Sequence, residues 1–318
     1  MSVIVFCEYN EGGFKKNALE ALTYGRKIAA IQNSRLVVAV NDPSFDQEVI
    51  KRYGGNYVVF YEGVSTGDSS ATARLLSDIM IQEEGRIIVL AYNSTGKGIT
   101  GQIAAKIQGG VATSVSGIPH SLDPLIVPTT VFAGKATADI KITTERAVLG
   151  LQNNVLSPEE SPVDQCEVTA YAGEVSSSLK VLKQETVSED IPLPEAERVV
   201  SGGRGLKGPE NWHLIEDLAR ELGAATACSR PVADSDWRPH HEHVGQTGIT
   251  IRPDLYIAAG ISGAIQHLGG VNNSKTIVVV NKDPEAPFFK AADYGVVGDL
   301  FEVLPRLTEA VKKWKVGG

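Results

Sequence analysis

Cysteine is scarce in this chain, and its scarcity excludes several kinds of site. The 318 residues contain three cysteines, Cys7, Cys166 and Cys228, which stand far apart and form no CxxC pair. We therefore expect neither a disulfide framework nor a cysteine-based zinc or iron–sulfur site. Such a composition fits a reducing compartment, and we expect the protein to be cytoplasmic.

Long apolar runs are also missing. No stretch approaches the roughly 18 apolar residues that a membrane-spanning helix needs, and no basic segment precedes the opening Met-Ser-Val-Ile-Val-Phe. We expect no secretory signal and no membrane-embedded segment. The net charge of −8 argues against nucleic acid as the main partner.

The sequence shows no familiar catalytic motif: no Ser-His-Asp arrangement, no nucleophile elbow and no pair of carboxylates suited to act as general acid and general base. The segment from Asn93 to Gly98 resembles a P-loop, but Ala91 stands where the first glycine belongs, and Gly98 replaces the hydroxyl residue after Lys97. We reject a nucleotide-hydrolysing site there and expect a helix cap or a relic anion site.

The cluster His240-His241-Glu242-His243 is a candidate metal site. Three ligands so close together in a loop rarely complete a tetrahedral site without distant help. A solvated loop is the interpretation that we favour.

The length and the alternation of strand-like and helix-like segments predict two α/β domains. We expect an N-terminal doubly wound parallel sheet with an antiparallel extension (1–190) and a C-terminal doubly wound, Rossmann-like domain (191–318), joined by the Glu-, Pro- and Ser-rich segment Gln184–Glu197. The expected N-terminal strands are Ile4–Glu8, Leu36–Val40, Tyr57–Tyr61 and Ile87–Ala91, followed in the antiparallel part by Val131–Ala133, Ile140–Thr144, Val148–Leu151, Val168–Tyr171 and Leu179–Leu182.

Small and polar residues follow the predicted strands of the C-terminal domain. Ser229-Arg230 follows Ala225–Cys228, Gly260 follows Leu255–Ala259, and Asn281 follows Ile277–Val280. In open α/β sheets ligands bind outside the carboxyl ends of the strands. These residues are therefore expected to line one crevice that suits a long, phosphate-bearing ligand with a flat ring.

A glycine-rich turn, Gly203-x-Gly205-x-x-Gly208, formally matches a dinucleotide fingerprint. The next strand ends in Ser229-Arg230 rather than in the acidic residue that an NAD ribose requires. An NADP site and a plain tight turn both remain open.

Arg230 and His267 each have two interpretations. Arg230 could stack on a planar ring or form a surface ion pair, and His267 could meet a developing anion near a helix N-terminus or lie on a helix surface.

The C-terminal motifs together resemble the alpha subunit of electron-transfer flavoprotein. The motifs are SGGRGLK, CSRPVAD, VGQTG, DLYIAAGISGAIQHLGG, NKDPEAPFF and ADYGVVGDL, almost unbroken through Val199–Leu300, with weaker agreement in residues 1–190, where Phe132–Lys135 also matches. The resemblance implies FAD as cofactor and a heterodimer with a beta subunit. Departures from the family pattern include His243, Ser235-Asp236 and Thr144–Ala147.

The resemblance also assigns cofactor contacts. It implies that Arg230 lies over the flavin ring, that Thr247 lies near flavin N5 and that His267 lies near the flavin C2 carbonyl. The residues that it implies as FAD-binding are Arg204, Ser229, Arg230, Val244, Gly245, Gln246, Thr247, Ser262, Gly263, Ala264, Ile265, Gln266, His267, Asn281, Asp299 and Leu300.

The implied function is that of an electron carrier rather than an enzyme with its own substrate. Electrons would come from acyl-CoA dehydrogenases or similar flavoproteins, as in fatty acid beta-oxidation, and pass to a membrane quinone oxidoreductase. Alternatives are an NADP-dependent oxidoreductase subunit and a bifurcating flavoprotein with a second FAD in the beta subunit.

Overall fold

The computed structural model describes residues 1–10, 13–65, 67–132, 136–174, 177, 179–183 and 192–317. The chain divides into two compact units: Met1–Val131 with Thr137–Thr186, and Phe132–Ala136 with Val187–Gly318. The boundary predicted at residue 190, the first part of the predicted linker (184–191) and residues 133–135 lie outside the described residues. No helix within the described ranges is long and apolar enough to cross a membrane.

The first unit is built on a large, mainly parallel sheet. Its helices are α1 (Lys16–Gln32), α2 (Gln47–Arg52), α3 (Ser69–Gln82) and α4 (Ser94–Ile107). Its strands are β1 (Ser2–Cys7), β2 (Tyr9–Asn10), β3 (Gly13–Phe14), β4 (Arg35–Val40), β5 (Tyr57–Phe60), β6 (Gly85–Ala91), β7 (Gly110–Val115), β8 (Ser121–Leu122), β9 (Leu125–Val131), β10 (Ala136–Ile142), β11 (Ala147–Leu151) and β12 (Glu167–Ala170).

The strand order of this sheet is β10-β9-β7-β11-β6-β1-β4-β5-β12, with β8 paired to β9, while β2 and β3 form a separate ribbon. Neighbours from β7 through β12 in this order run parallel. Strand β9 is antiparallel to β7 and to β8. The predicted doubly wound sheet with an antiparallel extension is therefore observed.

Alternation of side chains along β1 shows how the sheet is buried. Val3, Val5 and Cys7 face one core, which the apolar side of α1 completes. Ile4 and Phe6 face the other core, against α3 and α4. Because a strand exposes successive side chains to opposite faces, one continuous apolar run fills both cores, which is typical of a parallel strand covered on both sides.

Three strand predictions in the first unit need correction. Val148–Leu151 was expected in the antiparallel part, but β11 lies between β6 and β7 and runs parallel to both. Val168–Tyr171 was expected there as well, but β12 runs parallel to β5. Residues 179–182 form no strand, and Leu182 is exposed. An apolar run signals burial or strand propensity, whereas the direction of pairing depends on distant strands.

Residues 192–317 are described without a gap and contain a smaller sheet of five strands. Its strands are β13 (Arg198–Gly202), β14 (Ala225–Cys228), β15 (Leu255–Ala259), β16 (Thr276–Asn281) and β17 (Tyr294–Val297). Its α-helices are α5 (His213–Leu222), α6 (Arg230–Ala233), α7 (Ile265–Val271) and α8 (Leu300–Gly317), accompanied by 3₁₀ turns at Leu193–Glu195, Arg204–Leu206, Pro209–Asn211, His240–Glu242 and Pro287–Ala291.

All pairs in this second sheet are parallel, and the strand order is β14-β13-β15-β16-β17. The chain leaves β13 toward β14 on one side and later returns to β15 on the other side. The order therefore reverses between β13 and β15. In doubly wound sheets such a switch point opens a crevice at the carboxyl ends of the two strands.

Strand β15 separates the two cores of the second unit. Tyr256 and Ala258 face a core completed by Val271 and Phe288. Ile257 and Ala259 face a core completed by α5 and α8. Both faces of the central strand β15 are thus covered, while the carboxyl ends of the strands remain open to a ligand.

Candidate functional site

A cleft of about 290 Å³ lies in the second unit, at the carboxyl ends of β13, β14 and β15. Arg204 follows β13, Ser229 and Arg230 follow β14, and residues 260–264 follow β15. The cleft therefore occupies the switch point of the sheet, as the sequence predicted for the polar residues that follow these strands.

Close packing between two loops explains the glycines near this switch point. A methyl group on Gly203 would lie 2.2 Å from the carbonyl oxygen of Gly260, and one on Gly205 would lie 2.6 Å from Cα of Gly260. The amide of Gly205 donates a hydrogen bond to the Gly260 carbonyl (3.0 Å). The helix α5 begins only at His213, so the turn does not open directly into an α-helix, as a dinucleotide fingerprint would.

The turn from His243 to Gly248 forms a second wall of the cleft and is held from two sides. The amide of Val244 donates to the carbonyl of Cys228 (3.1 Å), and the amide of Gln246 donates to the carbonyl of Gln266 (2.7 Å). Gly245 has φ +156°, a backbone conformation that L side chains rarely adopt. The polar side chains of Gln246 and Thr247 are exposed along the cleft.

The loop between β15 and α7 forms the third wall. Gly260 and Gly263 have φ +65° and +81°, and a methyl group on Gly263 would lie 2.4 Å from Cβ of Phe288. Ala264 precedes α7 and provides no side-chain cap, so the first backbone N–H groups of the helix have no side-chain partner. The helix begins only at Ile265, because the positive φ angles at residues 260 and 263 do not fit a right-handed helix.

His267 lies at the base of the cleft and is 6% exposed. Its Nε2 atom lies 2.8 Å from Oη of Tyr256, and Phe288 contacts the ring edge-on, with centroids 5.6 Å apart. The pKa of His267 is lowered to about 4, mainly by burial and also by the neighbouring His243, while the Val244 backbone partly opposes this shift. The imidazole is therefore neutral near pH 7.

His243 is a second buried imidazole beside the cleft. Its backbone pairs with Cys228 in an isolated β-bridge. Burial lowers the pKa of His243, while Asp234 raises it, and Arg230 and His240 lower it. The sequence did not single out this residue as a cofactor contact, although its place beside VGQTG was a usable signal.

Arg230 lies at the cleft with 62% of its side chain exposed. Its Nε atom donates to Oδ2 of Asp234 at 3.2 Å. Ser229 is buried at the start of α6, and its amide donates to the carbonyl of Gly202 (3.1 Å). The cleft thus has one cationic wall whose charge is only partly neutralised by a neighbouring carboxylate.

Eleven of the sixteen residues proposed from the sequence line this cleft: Arg204, Ser229, Arg230, Val244, Gln246, Thr247, Ser262, Gly263, Ala264, Gln266 and His267. Five do not line it: Gly245, Ile265, Asn281, Asp299 and Leu300. Four lining residues were not among these sixteen: Pro231, His243, Gly260 and Ile261. Gly260 had been expected to line the crevice because it follows a strand, whereas Ile261 was missed, since a backbone that lines a cleft leaves little trace in side-chain chemistry.

Asn281, Asp299 and Leu300 lie at the same edge of the sheet but hold the protein together. The side-chain Nδ2 of Asn281 donates to the Ile261 carbonyl (3.0 Å), and Asp299 Oδ1 accepts from the Phe301 backbone amide (2.9 Å) at the start of α8. Leu300 is buried and packs beneath Gly260. These residues therefore support the loops around the cleft.

The His240–His243 cluster contributes no metal centre within the described ranges, where no group of three candidate ligands converges. Glu242 is instead buried against Arg238, whose Nε donates to Glu242 Oε2 at 2.9 Å. The Arg238 guanidinium also bonds Glu216 and lies over the Trp212 ring. This ion cluster anchors the segment that leads into the 243–248 turn.

The P-loop-like segment of the first unit is a helix cap, as one of the two sequence interpretations predicted. Asn93 Oδ1 accepts from the Gly96 amide (2.9 Å), and α4 begins at Ser94. Thr95 Oγ1 donates to Glu8 Oε1 (2.7 Å). A carboxylate of the chain itself therefore occupies the start of this helix, where an anion is favoured.

Comparison with known proteins gives matches along almost the whole chain. Residues 192–272 match a family described as the electron transfer flavoprotein FAD-binding domain, and residues 3–176 match the electron transfer flavoprotein domain. The electron transfer flavoprotein subunit alpha of Bacillus subtilis is 34% identical over 328 residues, covering 99% of this chain and 98% of that protein. The electron transfer flavoprotein subunit alpha of Mycobacterium tuberculosis H37Rv is 36% identical over 319 residues, covering 98% of this chain and 99% of that protein.

Proposed function

The chain belongs to the electron transfer flavoprotein family as an alpha subunit with an FAD-binding domain, and we propose that it carries electrons through FAD held in the cleft of its second unit. The observation that carries this proposal is the convergence of Arg204, Arg230, Thr247 and His267 on one switch-point crevice. When bound, FAD supplies the group that accepts and releases electrons. The protein supplies binding, orientation and charge.

The cleft has the features that a dinucleotide with a flat ring requires. The glycine backbones at Gly203, Gly205 and Gly260 approach so closely that no side chain fits between the loops. The loop before α7 leaves backbone N–H groups uncapped, which suits a diphosphate. At the base, Nδ1 of His267 is buried and has no hydrogen-bond partner among the described residues. The residues present therefore fit FAD.

We assign residues to the parts of FAD as follows. Arg230, Thr247 and His267 surround the ring, while Arg204 and Ser229 bind along the cofactor. The turn 244–247 holds the ring and ribityl region, and residues 262–266 take the diphosphate. The adenosine end would lie toward Asn281, the last residue of β16, and Asp299, which follows β17 at the same sheet edge. Gly245, Ile265 and Leu300 contact the cofactor through their backbone or support the residues that line the cleft.

We propose that a beta subunit completes the site, since an isoleucine and an arginine are exposed at the open side of the cleft. Ile265 beside the cleft is 63% exposed, and Arg230 is mostly exposed as well. An apolar side chain and an incompletely neutralised cation at the mouth of a cofactor site favour cover by a second chain. The heterodimer would then shield the flavin ring from water.

The proposed electron donors are acyl-CoA dehydrogenases or similar flavoprotein dehydrogenases of fatty acid beta-oxidation, and the proposed acceptor is a membrane quinone oxidoreductase. A carrier role is supported by the composition of the cleft, which offers donors and charge rather than a nucleophile with its base. We further propose a cytoplasmic location, which the three free cysteines support.

Co-expression of the chain with a beta subunit tests the proposal directly. We expect a yellow heterodimer whose flavin is bleached by an acyl-CoA dehydrogenase with its substrate and reoxidised by a quinone oxidoreductase. A colourless complex, or a flavin that exchanges electrons with neither protein but is reduced by NADPH, would overturn it. One flavin per heterodimer supports simple transfer, and two support bifurcation.

A further inference from the structure

Tyr256 and His267 form a buried pair beneath the cleft. Tyr256 belongs to β15, is inaccessible to solvent, and packs among apolar side chains of the core. Its Oη atom lies 2.8 Å from Nε2 of His267. Phe288 contacts both rings, at centroid distances of 6.2 Å and 5.6 Å. The relative position of the two rings is thus determined by packing on several sides.

The phenol proton of Tyr256 has one well-placed acceptor. Burial raises the pKa of Tyr256, so the phenol stays protonated. The Ser201 hydroxyl lies near enough to affect this pKa, but its Oγ forms no hydrogen bond of normal geometry with any described residue. Because an unsatisfied buried donor is costly, the phenol donates to Nε2 of His267.

This hydrogen bond determines which ring nitrogen of His267 carries the proton. A neutral imidazole has one donor and one acceptor nitrogen, so an Nε2 atom that accepts from Tyr256 leaves the proton on Nδ1. Nδ1 is buried and forms no hydrogen bond of normal geometry with the described residues, although the Val244 backbone lies near enough to raise the pKa of His267. The ring therefore has a donor available to an acceptor in the cleft.

We propose that Tyr256 is a positioning residue that holds His267 as the neutral Nδ1–H tautomer, with this N–H available to a carbonyl acceptor of the cofactor. The tautomer is a property of the chain alone, whereas the identity of the acceptor rests on the proposed function. Tyr256 itself does not line the cleft, so it acts only through His267.

The charged and titratable groups around this pair are few. The 243–248 turn presents His243, which disfavours protonation of His267. His243 in turn faces Asp234, Arg230 and His240 from α6 and the preceding turn. On the sheet side, Cys228 adjoins Tyr256. None of these groups offers a closer proton acceptor for Tyr256 than Nε2 of His267 among the described residues.

Nitrogen NMR of the full chain in its complex, with ¹⁵N-labelled histidine, tests the tautomer. His267 is assigned from the signal lost in His267→Asn. We expect a neutral Nδ1–H imidazole from pH 6 to 8 in the wild type, and in Tyr256→Phe a change toward the Nε2–H form or toward protonation at higher pH. Tyr61→Phe is the matched control, because Tyr61 is also buried, its hydroxyl has no partner in the described residues, and it lies in the first unit.

An Nε2–H tautomer in the wild type would overturn the proposal even if Tyr256→Phe failed to fold, and so would an unchanged tautomer in a folded Tyr256→Phe. A second measurement separates this inference from the proposed function. We expect the dissociation constant for FAD to rise about three- to tenfold in Tyr256→Phe and to stay unchanged in Tyr61→Phe. If the wild type bound no FAD, the proposed function would fail while the tautomer remained measurable.

Discussion

Gly270 of α7 packs directly against the backbone of Gly245 in the turn beside the cleft. A methyl group at Gly270 would lie 2.5 Å from the amide nitrogen of Gly245 and 2.6 Å from its Cα. The amide of Ile251 also donates to the Gly270 carbonyl (2.9 Å). The helix that carries His267 and the turn that carries Thr247 are therefore held in direct contact, without any side chain between them.

This contact predicts the effect of Gly270→Ala. Because backbone atoms, not a flexible side chain, meet the added methyl group, the turn must move, and we expect a loss of about 1–3 kcal/mol in the free energy of unfolding together with weaker FAD binding. Urea unfolding followed by tryptophan fluorescence measures the second unit alone, because Trp212, Trp237 and Trp314 all lie in it. Gly101→Ala in α4 is the control, since nothing lies near its added methyl group, and far-ultraviolet circular dichroism measures its unfolding because α4 lies in the first unit.

Arg230→Ala should lower the reduction potential of bound FAD. A positive charge near the ring stabilises the added negative charge, and its loss should shift a one-electron potential by on the order of 50 mV. Asp234→Asn should shift the potential upward, because it removes the carboxylate paired with Arg230. Potentiometric titration of the heterodimer measures both, and shifts of equal sign would contradict the assignment of Arg230 to the ring.

Neutral burial of His267 predicts an acid-sensitive stability. The pKa of His267 is lowered from 6.5 to about 4 on folding. Between pH 6.5 and pH 4, this imidazole therefore binds a proton in the unfolded chain but not in the folded chain. The free energy of unfolding should therefore fall by up to about 3 kcal/mol as the pH decreases from 6.5 to 4, and this loss should level off below pH 4.

The pH dependence is measured as the difference between the wild type and His267→Gln, again by tryptophan fluorescence. The variant should lack this component of the acid sensitivity. His241→Gln is the control, because His241 is an exposed histidine of the same unit. Parallel pH profiles for wild type and His267→Gln would disprove the neutral burial of this ring.

Arg238→Met should destabilise the second unit by about 3 kcal/mol, because it leaves the nearly buried Glu242 carboxylate without its cation. Glu242 immediately precedes His243, so FAD affinity should fall as well. Arg220→Met tests the same change in an exposed pair with Asp217 on α5, where Arg220 is 70% exposed. There the expected loss is at most about 0.5 kcal/mol. Equal losses in the two variants would argue against a structural role for the Arg238 cluster.

Much of the second unit could be predicted from sequence because its strands are short, apolar and bounded by small residues. Ala225–Cys228 and Leu255–Ala259 were predicted with the bounds that the structure has. The first unit was harder: β11 and β12 have strand-like patterns, but nothing local states that they run parallel to β6 and β5. Direction and neighbour in a sheet are long-range properties.

The residues of the candidate site were likewise predictable only in part. Polar side chains such as Arg230 and Thr247 were identified because their types and motifs carry chemistry. Ile261 was missed, and Asn281 and Asp299 form hydrogen bonds within the protein itself. Whether a polar residue serves a ligand or a neighbouring loop depends on its distances to other segments, which no motif states.

The sequence by itself determined the class of this protein, its two α/β units and the set of motifs proposed to bind FAD, since apolar periodicity and residue type act locally along the chain. Only the tertiary structure shows that Gly203 and Gly205 allow the backbone of Gly260 to approach closely. It also shows that the Glu8 carboxylate lies at the start of α4 and that Tyr256 contacts His267 from the core. These relations join residues distant in sequence, and they exist because close packing of the folded chain brings their atoms within contact and hydrogen-bond distance.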